Sequence, residues 1–309
     1  MKNLNKKPLA QILIRDFKQH KYKYLIMLPV IILLFIFRYK PMYGIIIAFQ
    51  EFRPSAGIAN SPWVGLAQFK SFFNDVYFWR ILRNTFLISL GSIIFTFPAP
   101  ILLALLLNEV KCIRFKRFVQ TITYMPHFIS IVVICSMIVQ FTMSNGLIAD
   151  IIVFFGGERV NVLSKKEYFH AIYYLSGIWQ GVGWGSIIYL AALSGIDQEL
   201  YEAAKIDGAG RLQQIWHITL PGILPTVSTL LVLRLGSILS ADHEKILLLY
   251  QPLTYEVADV ISTYVYRKGM LDASYSYSTA VGLFNSFVNI VFLVMANKFS
   301  KKVGQSGLF

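Results

Sequence analysis

Six long apolar runs, almost free of charge, constrain this chain more than any other feature of it. They lie near residues 24–38, 81–107, 126–143, 171–193, 218–239 and 279–296. Most reach the roughly 20 residues that an α-helix needs to cross a hydrocarbon core. With 56% hydrophobic and only 15% charged residues, the 309-residue chain is too apolar for a pair of soluble domains. The predicted fold is therefore all-α, a polytopic membrane helical bundle of six transmembrane helices. The first and third runs are short and each has a proline beside it, and residues 43–49 beyond Pro41 extend the first. Broken spans survive where other helices or a cavity satisfy the freed backbone groups.

The net charge of +13 does not mark a nucleic-acid binder, because the basic residues follow membrane topology. Residues 1–24 carry Lys2, Lys6, Lys7, Arg15, Lys18, Lys21 and Lys23, with Leu9, Ile12, Leu13 and Phe17 on one helical face. This reads as an amphipathic helix on a cytoplasmic leaflet, with a disordered tail equally open for the first eight residues. The long basic region and the lack of a small-residue cleavage site argue against a cleaved signal peptide. With the N-terminus inside, inner segments hold 16 of the 29 Lys and Arg, against 12 on longer outer loops. Both termini are thus expected in the cytoplasm. The expected parts are a basic segment (1–23), a transmembrane domain (24–300) and a short tail (301–309).

Between the fourth and fifth runs, residues 201–225 are polar and patterned for two short helices. Asp197 is placed as an N-cap, and Glu199 and Glu202 sit in the first turns, where the helix dipole favours carboxylates. Ala203 and Ala204 leave a bare surface, and Gly208 and Gly210 interrupt the helix, with Asp207 placed to cap the second one. Leu212, Ile215 and Trp216 form one apolar face of the second helix, and Pro221 opens the fifth run. On the inner side of a membrane protein, such a hairpin is expected to dock a partner.

Signatures of catalysis are missing from the sequence. It holds no P-loop and no G-x-S-x-G elbow, and the stretch from His243 to Leu247 starts like H-E-x-x-H but ends in leucine. Cys112 and Cys135 suit neither a disulfide framework nor a metal site, and the five histidines are scattered. Polar groups inside the spans are more informative. The fourth run carries Trp179, Gln180, Trp184 and Tyr189, with Gly177, Gly181 and Gly185 spaced for close helix packing. Arg234 lies in the fifth run, where a charge at the centre costs about 2.5–3.5 kcal/mol unless it faces protein or water. Asn285 and Asn289 share one face of the sixth run. Each of these residues suits either a translocation path or a helix contact. Aromatic residues crowd the first outer loop, from Tyr43 through Trp63 to Trp79, as interfacial anchors or sugar-stacking rings. Residues 253–270 read as an external amphipathic helix, with Val257, Val260, Ile261, Tyr264 and Val265 at helical spacing.

Glu202-Ala203-Ala204, Gly208 and then Ile218-x-Leu220-Pro221 resemble the EAA loop of binding-protein-dependent ABC importer permeases. The stretches Tyr39 to Gly44, Trp63 to Leu66, Asn84-Thr85, Asp259-Val260-Ile261, Tyr264 to Arg267 and Ala280 to Phe284 resemble the oligosaccharide and polysaccharide-uptake branch of that family. The similarity covers about residues 20–300. It implies a non-catalytic permease subunit in a cell membrane, and the branch is frequent in Gram-positive bacteria. Its implied partners are a second homologous permease, an ABC ATPase dimer that binds ATP and Mg, an extracellular solute-binding protein, membrane lipid and a saccharide substrate. It assigns Glu202, Ala203, Ala204, Asp207, Gly208, Ala209, Leu212 and Trp216 to ATPase coupling. Two other classes stay open on the residues alone. An ion-coupled sugar transporter leaves the hairpin without a purpose, and a membrane receptor or scaffold predicts partners without flux.

Overall fold

A computed structural model describes residues 9–302. The first eight residues and residues 303–309 lie outside the described residues, and so do the side chains of Leu9, Ile12 and Leu13. Almost everything described is helical. An isolated bridge between Gln50 and Trp63 is the sole β pairing among the described residues.

The first helix, Leu9–Leu34, bends at His20 and continues through a π turn at Phe35–Tyr39 into Lys40–Phe49. Pro41 does not break it, because proline in the first turn of a helical segment removes an N–H that has no partner there anyway. The resulting span, Gln19–Phe49, buries none of its most apolar window within this chain. Only its end packs home, with Ala48 buried and Lys40–Phe49 against the Tyr275–Lys302 helix. The second span is Phe78–Glu109, with a π turn at Ser92–Thr96 that accommodates Pro98 and Pro100 in the next first turn.

The third span departs from expectation. The basic stretch after Lys111 is not a loop but largely the helix Ile113–Tyr124. A 3-10 turn at Met125–Phe128 holds Pro126, and the chain re-enters helix at Ile131–Thr142 with Ser130 as N-cap. Alternating basic and apolar residues in 113–124 concealed this helix, since its charges reduce its hydropathy while its apolar face still packs on the Lys166–Ser194 helix.

Among the described residues, five helices are long and apolar enough to cross a membrane. Lys166–Ser194 has the length, 29 residues, but Gln180, two tryptophans and its glycines dilute its apolar content. It packs against Pro98–Glu109, Ile113–Tyr124 and Leu220–Leu235, and so completes a bundle of six. The glycines spaced by four do not form one tight seam here. The tightest approach is at Gly183, where a Cβ would overlap the Thr123 carbonyl, and Gly185 lies close against Pro100. The fifth span, Arg211–Leu235, runs without a break past Pro221 through a π turn at Ile215–Thr219.

Between the fifth and sixth spans the chain folds into a cap on the end opposite the hairpin. Residues 253–270 are not one surface helix. They form Tyr255–Ala258 and Ile261–Tyr266, broken at Asp259 and Val260, with Ala258, Ile261 and Tyr264 buried and their other apolar side chains half-buried. The break is possible because neighbouring spans supply hydrogen bonds to the freed backbone. Asn84 Nδ2 donates to the carbonyls of Glu256 (2.9 Å) and Asp259 (3.1 Å). Thr85 Oγ1 accepts from the Ile261 N–H (2.9 Å). Asn289 Oδ1 accepts from the Leu239 N–H and its Nδ2 donates to Ser240, both at 2.9 Å, at the point where the fifth span ends.

Asp259 has 0% of its surface exposed and accepts a two-pronged pair from Arg267 (2.8 and 2.6 Å), with Arg80 at 3.6 Å. Arg267 is ringed by Tyr250, Tyr255 and Tyr264. Lys245 is also buried. Its Nζ donates to the Tyr173 carbonyl (3.0 Å), lies over the Tyr173 ring, and would sit 3.2 Å from any Cβ at Gly177.

These buried charges set the stability of the cap in two ways. Asp259→Ala leaves Arg267 unpaired and should cost about 3–5 kcal/mol, measured as a lowered unfolding midpoint in detergent. Burial pulls the Lys245 ammonium down from 10.5 to about 8, so between those values the unfolded chain binds the extra proton. Stability should therefore rise with pH across that interval and lie flat below it. Lys245→Met should abolish that alkaline rise in a pH series of unfolding midpoints.

Candidate coupling surface and substrate path

The hairpin is built from local rules. The Asp197 carboxylate accepts from the Glu199 N–H at 3.0 Å and starts Gln198–Ile206. Gly208 ends it at φ +78°, the left-handed region that side chains avoid, and the Ala209 N–H reaches back to the Ala204 carbonyl at 2.8 Å. Asp207 is the C-cap of this first helix and does not cap the next one. That task falls to Gly210, whose N–H donates to Gln213 Oε1 at 2.8 Å. The second helix is not short either, since it is the start of Arg211–Leu235. Tyr201 and Thr219 are joined through their hydroxyls (3.0 Å), and Gln214 Nε2 donates to the Ala209 carbonyl (2.9 Å). The hairpin is thereby tied rigidly to the fifth span.

Its outer surface exposes apolar side chains that no other described residue covers. Ile206 is 87% exposed, Leu212 74% and Trp216 68%, while Glu202, Ala203, Asp207 and Gly208 are exposed beside them. Ala204 and Ala209 are half-buried. Grooves of about 630 and 300 Å³ flank the loop, the larger lined by Lys111, Lys205 and Arg211, the smaller by Ala204, Gly208 and His217. Together Ile206, Leu212 and Trp216 make an exposed apolar patch on a rigid loop.

The residues proposed for a substrate path are dispersed. Tyr189 is 3% exposed and packs in a core cluster with Ala104, Leu193, Ile196 and Ile223. Asn289 is committed to the backbone at Leu239. Trp184 is exposed on one side and stacks on His127 with centroids 4.6 Å apart, and Trp179 is exposed. Gln180 is half-buried. Asn285 lies at a separate cleft near the cap. Arg234 is exposed, and its guanidinium makes no hydrogen bond or ion pair among the described residues. It lines a narrow slot with Ser89, Ser92, Tyr173, Ser237 and Ser240. The first-loop aromatics divide in the same manner. Phe72 and Phe78 are core, Phe49 stacks on Trp63, and Trp63 and Trp79 stay exposed.

Sequence reasoning missed the buried Asp259–Arg267 pair and Lys245 altogether. The breaks around Asp259 and the nearby Arg267 were the available signal, but nothing in one dimension pairs them with Asn84.

Comparison with known proteins accords with this geometry. Residues 96–305 match the family model described as binding-protein-dependent transport system inner membrane component. The chain is 47% identical to the polygalacturonan/rhamnogalacturonan transport system permease protein YteP of Bacillus subtilis (strain 168), over 94% of this chain and 91% of that one. It is 45% identical to protein LplB of the same organism, over 94% and 92%. Among solved structures it is similar to a bacterial ABC transporter involved in import of the acidic polysaccharide alginate, with TM-score 0.88 and 45% identity over 94% of this chain and 99% of that one. A second structure of a bacterial alginate ABC transporter, in complex with an alginate pentasaccharide-bound periplasmic protein, also gives 0.88, at 44% identity over 95% and 99%. The chain belongs to the inner membrane components of binding-protein-dependent transport systems, the permease subunits of ABC importers.

Proposed function

We infer that this chain is one permease half of an ATP-driven importer for an acidic oligosaccharide derived from a complex polysaccharide. The observation that carries the coupling role is the rigid hairpin with Ile206, Leu212 and Trp216 turned away from the rest of the chain. An ATPase dimer that binds ATP and Mg docks there, on the cytoplasmic side together with both termini. Glu202 and Asp207 supply polar contacts, and Ala203, Ala204, Gly208 and Ala209 permit a close fit. Closure of the ATPase moves the loop, and the ties through Tyr201–Thr219 and Gln214–Ala209 carry that motion into the fifth span.

The first span, whose most apolar stretch is unburied within this chain, fits a second, homologous permease and lipid as its neighbours. A solute-binding protein delivers the sugar to the cap end. Arg234, a cation in a span without a carboxylate partner, supports an acidic cargo. Polygalacturonan and alginate, named for the relatives, are acidic as well. Trp179, Gln180, Trp184, Asn285 and Arg234 are the residues proposed to meet the sugar. Tyr189 and Asn289 act behind them in packing.

Gly208→Val forces a left-handed conformation that costs a side-chain-bearing residue about 1–2 kcal/mol. ATP-driven uptake in proteoliposomes should fall roughly tenfold or more while the complex still assembles, and normal uptake would remove the coupling assignment. Arg234→Gln should lower uptake of acidic relative to neutral oligosaccharides roughly ten- to hundredfold, the worth of a hydrogen bond to a charged group. An unchanged ratio in competition assays would rule out Arg234 as the acid reader.

A further inference from the structure

A cleft of about 440 Å³ opens between the cap and the outer half of the Tyr275–Lys302 helix. Its walls include His243, Ser262, Tyr266, Tyr275, Gly282 and Asn285. The volume falls within the range of small-ligand sites, which are mostly apolar with a few placed polar groups. Three of the residues that line it each keep one buried side-chain atom without a hydrogen-bond partner, His243 Nδ1, Ser262 Oγ and Asn285 Oδ1. They are half of all such atoms among the described residues, of which there are six. Native proteins rarely leave buried polar atoms unpaired, and each one here lacks a partner for a local reason. Ser262 lies in the first turn of Ile261–Tyr266, where no earlier turn offers a carbonyl to its hydroxyl. His243 begins its own short helix and meets Tyr266 at 5.5 Å between ring centroids. Asn285, unlike Asn289 one turn below it, has no broken backbone beside it to serve.

No Asp, Glu, Lys or Arg lines the cleft, so it is chemically distinct from the Arg234 slot. The two lie on either side of residues 238–243. Ser240, held by Asn289, faces the slot, and His243 faces the cleft. Amide, imidazole and hydroxyl groups beside tyrosine rings suit the hydroxyls and apolar face of a sugar ring, and the cleft offers a carboxylate neither Lys nor Arg. We propose that this cleft is an outer saccharide subsite, which holds an uncharged face of a more distal sugar unit while Arg234 reads an acidic one. A short oligosaccharide engaged near Arg234 does not extend into it, whereas a long one does. The inference rests on the reading of the chain as an oligosaccharide importer.

Gly282 offers a clean test, because a Cβ there meets no atom within 4 Å and larger side chains grow into the open cleft. In proteoliposomes holding the full complex, Gly282→Ala, Gly282→Leu and Gly282→Phe should raise the KM for pentagalacturonate relative to digalacturonate in order of size. For leucine the ratio should shift roughly tenfold, which is about 1.4 kcal/mol of lost binding. An unchanged ratio overturns the subsite. So does a uniform loss at both lengths, or loss of the co-purifying second permease, since either assigns the cleft to contacts between subunits. If the complex carries only neutral oligosaccharides, the Arg234 reading fails, and the cleft is judged on the same ratio for a short and a long neutral sugar.

Discussion

Every polar backbone group in a bilayer needs a partner within the protein, and this constraint organises the structure more than any apolar contact does. Unbroken helices meet it by themselves. The chain breaks helix at the end of the fifth span and again at Asp259 and Val260. In both places a neighbouring span supplies the missing partners, through Asn289 in the first and through Asn84 and Thr85 in the second. These three side chains allow a folded cap where a single helix would otherwise be obligatory. The Asp259–Arg267 pair then fixes the cap internally, and Lys245 ties its first helix to the backbone of Tyr173.

The opposite end of the bundle obeys a different logic. The hairpin between the fourth and fifth spans is held by short polar ties, and Arg211–Leu235 continues from the loop into the membrane without a break. A push on Leu212 or Trp216 is therefore a push on the whole fifth span. That span ends at Leu235, close to the Arg234 slot and to the Ile238–His243 segment that separates the slot from the outer cleft. One rigid element thus joins the exposed apolar residues of the hairpin to the Arg234 slot.

Much of this was legible from the residues. Most apolar runs long enough to span, the Asp197 cap and the Gly208 break depend on local chemistry and appear where the pattern places them. The Ile113–Tyr124 helix was hidden because its basic residues mimic a loop in any hydropathy reading. The cap was misread because residues 253–270 have helical spacing, yet the bend at Asp259 is stabilised by Asn84, some 175 residues earlier in the chain. Of the regular series Gly177, Gly181 and Gly185, only Gly185 lies tight against another span, at Pro100, while the tightest approach falls outside the series at Gly183, where the Thr123 backbone lies against it.

The sequence by itself determined the class of fold, the number of elements in the bundle and the place of the polar hairpin between the fourth and fifth spans. Periodicity, capping and charge act over a few residues and can be read directly. Only the tertiary structure decided which intramembrane polar groups are spent on the protein and which are free. Tyr189 and Asn289 look no different in sequence from Trp179 and Asn285, but the first two are committed to a core cluster and a broken backbone. Arg234 keeps its guanidinium free of hydrogen bonds and ion pairs among the described residues, and Asn285 keeps its carbonyl oxygen unpaired. A polar side chain is available to a ligand only if the fold brings no other partner to it, and that is a property of three-dimensional packing.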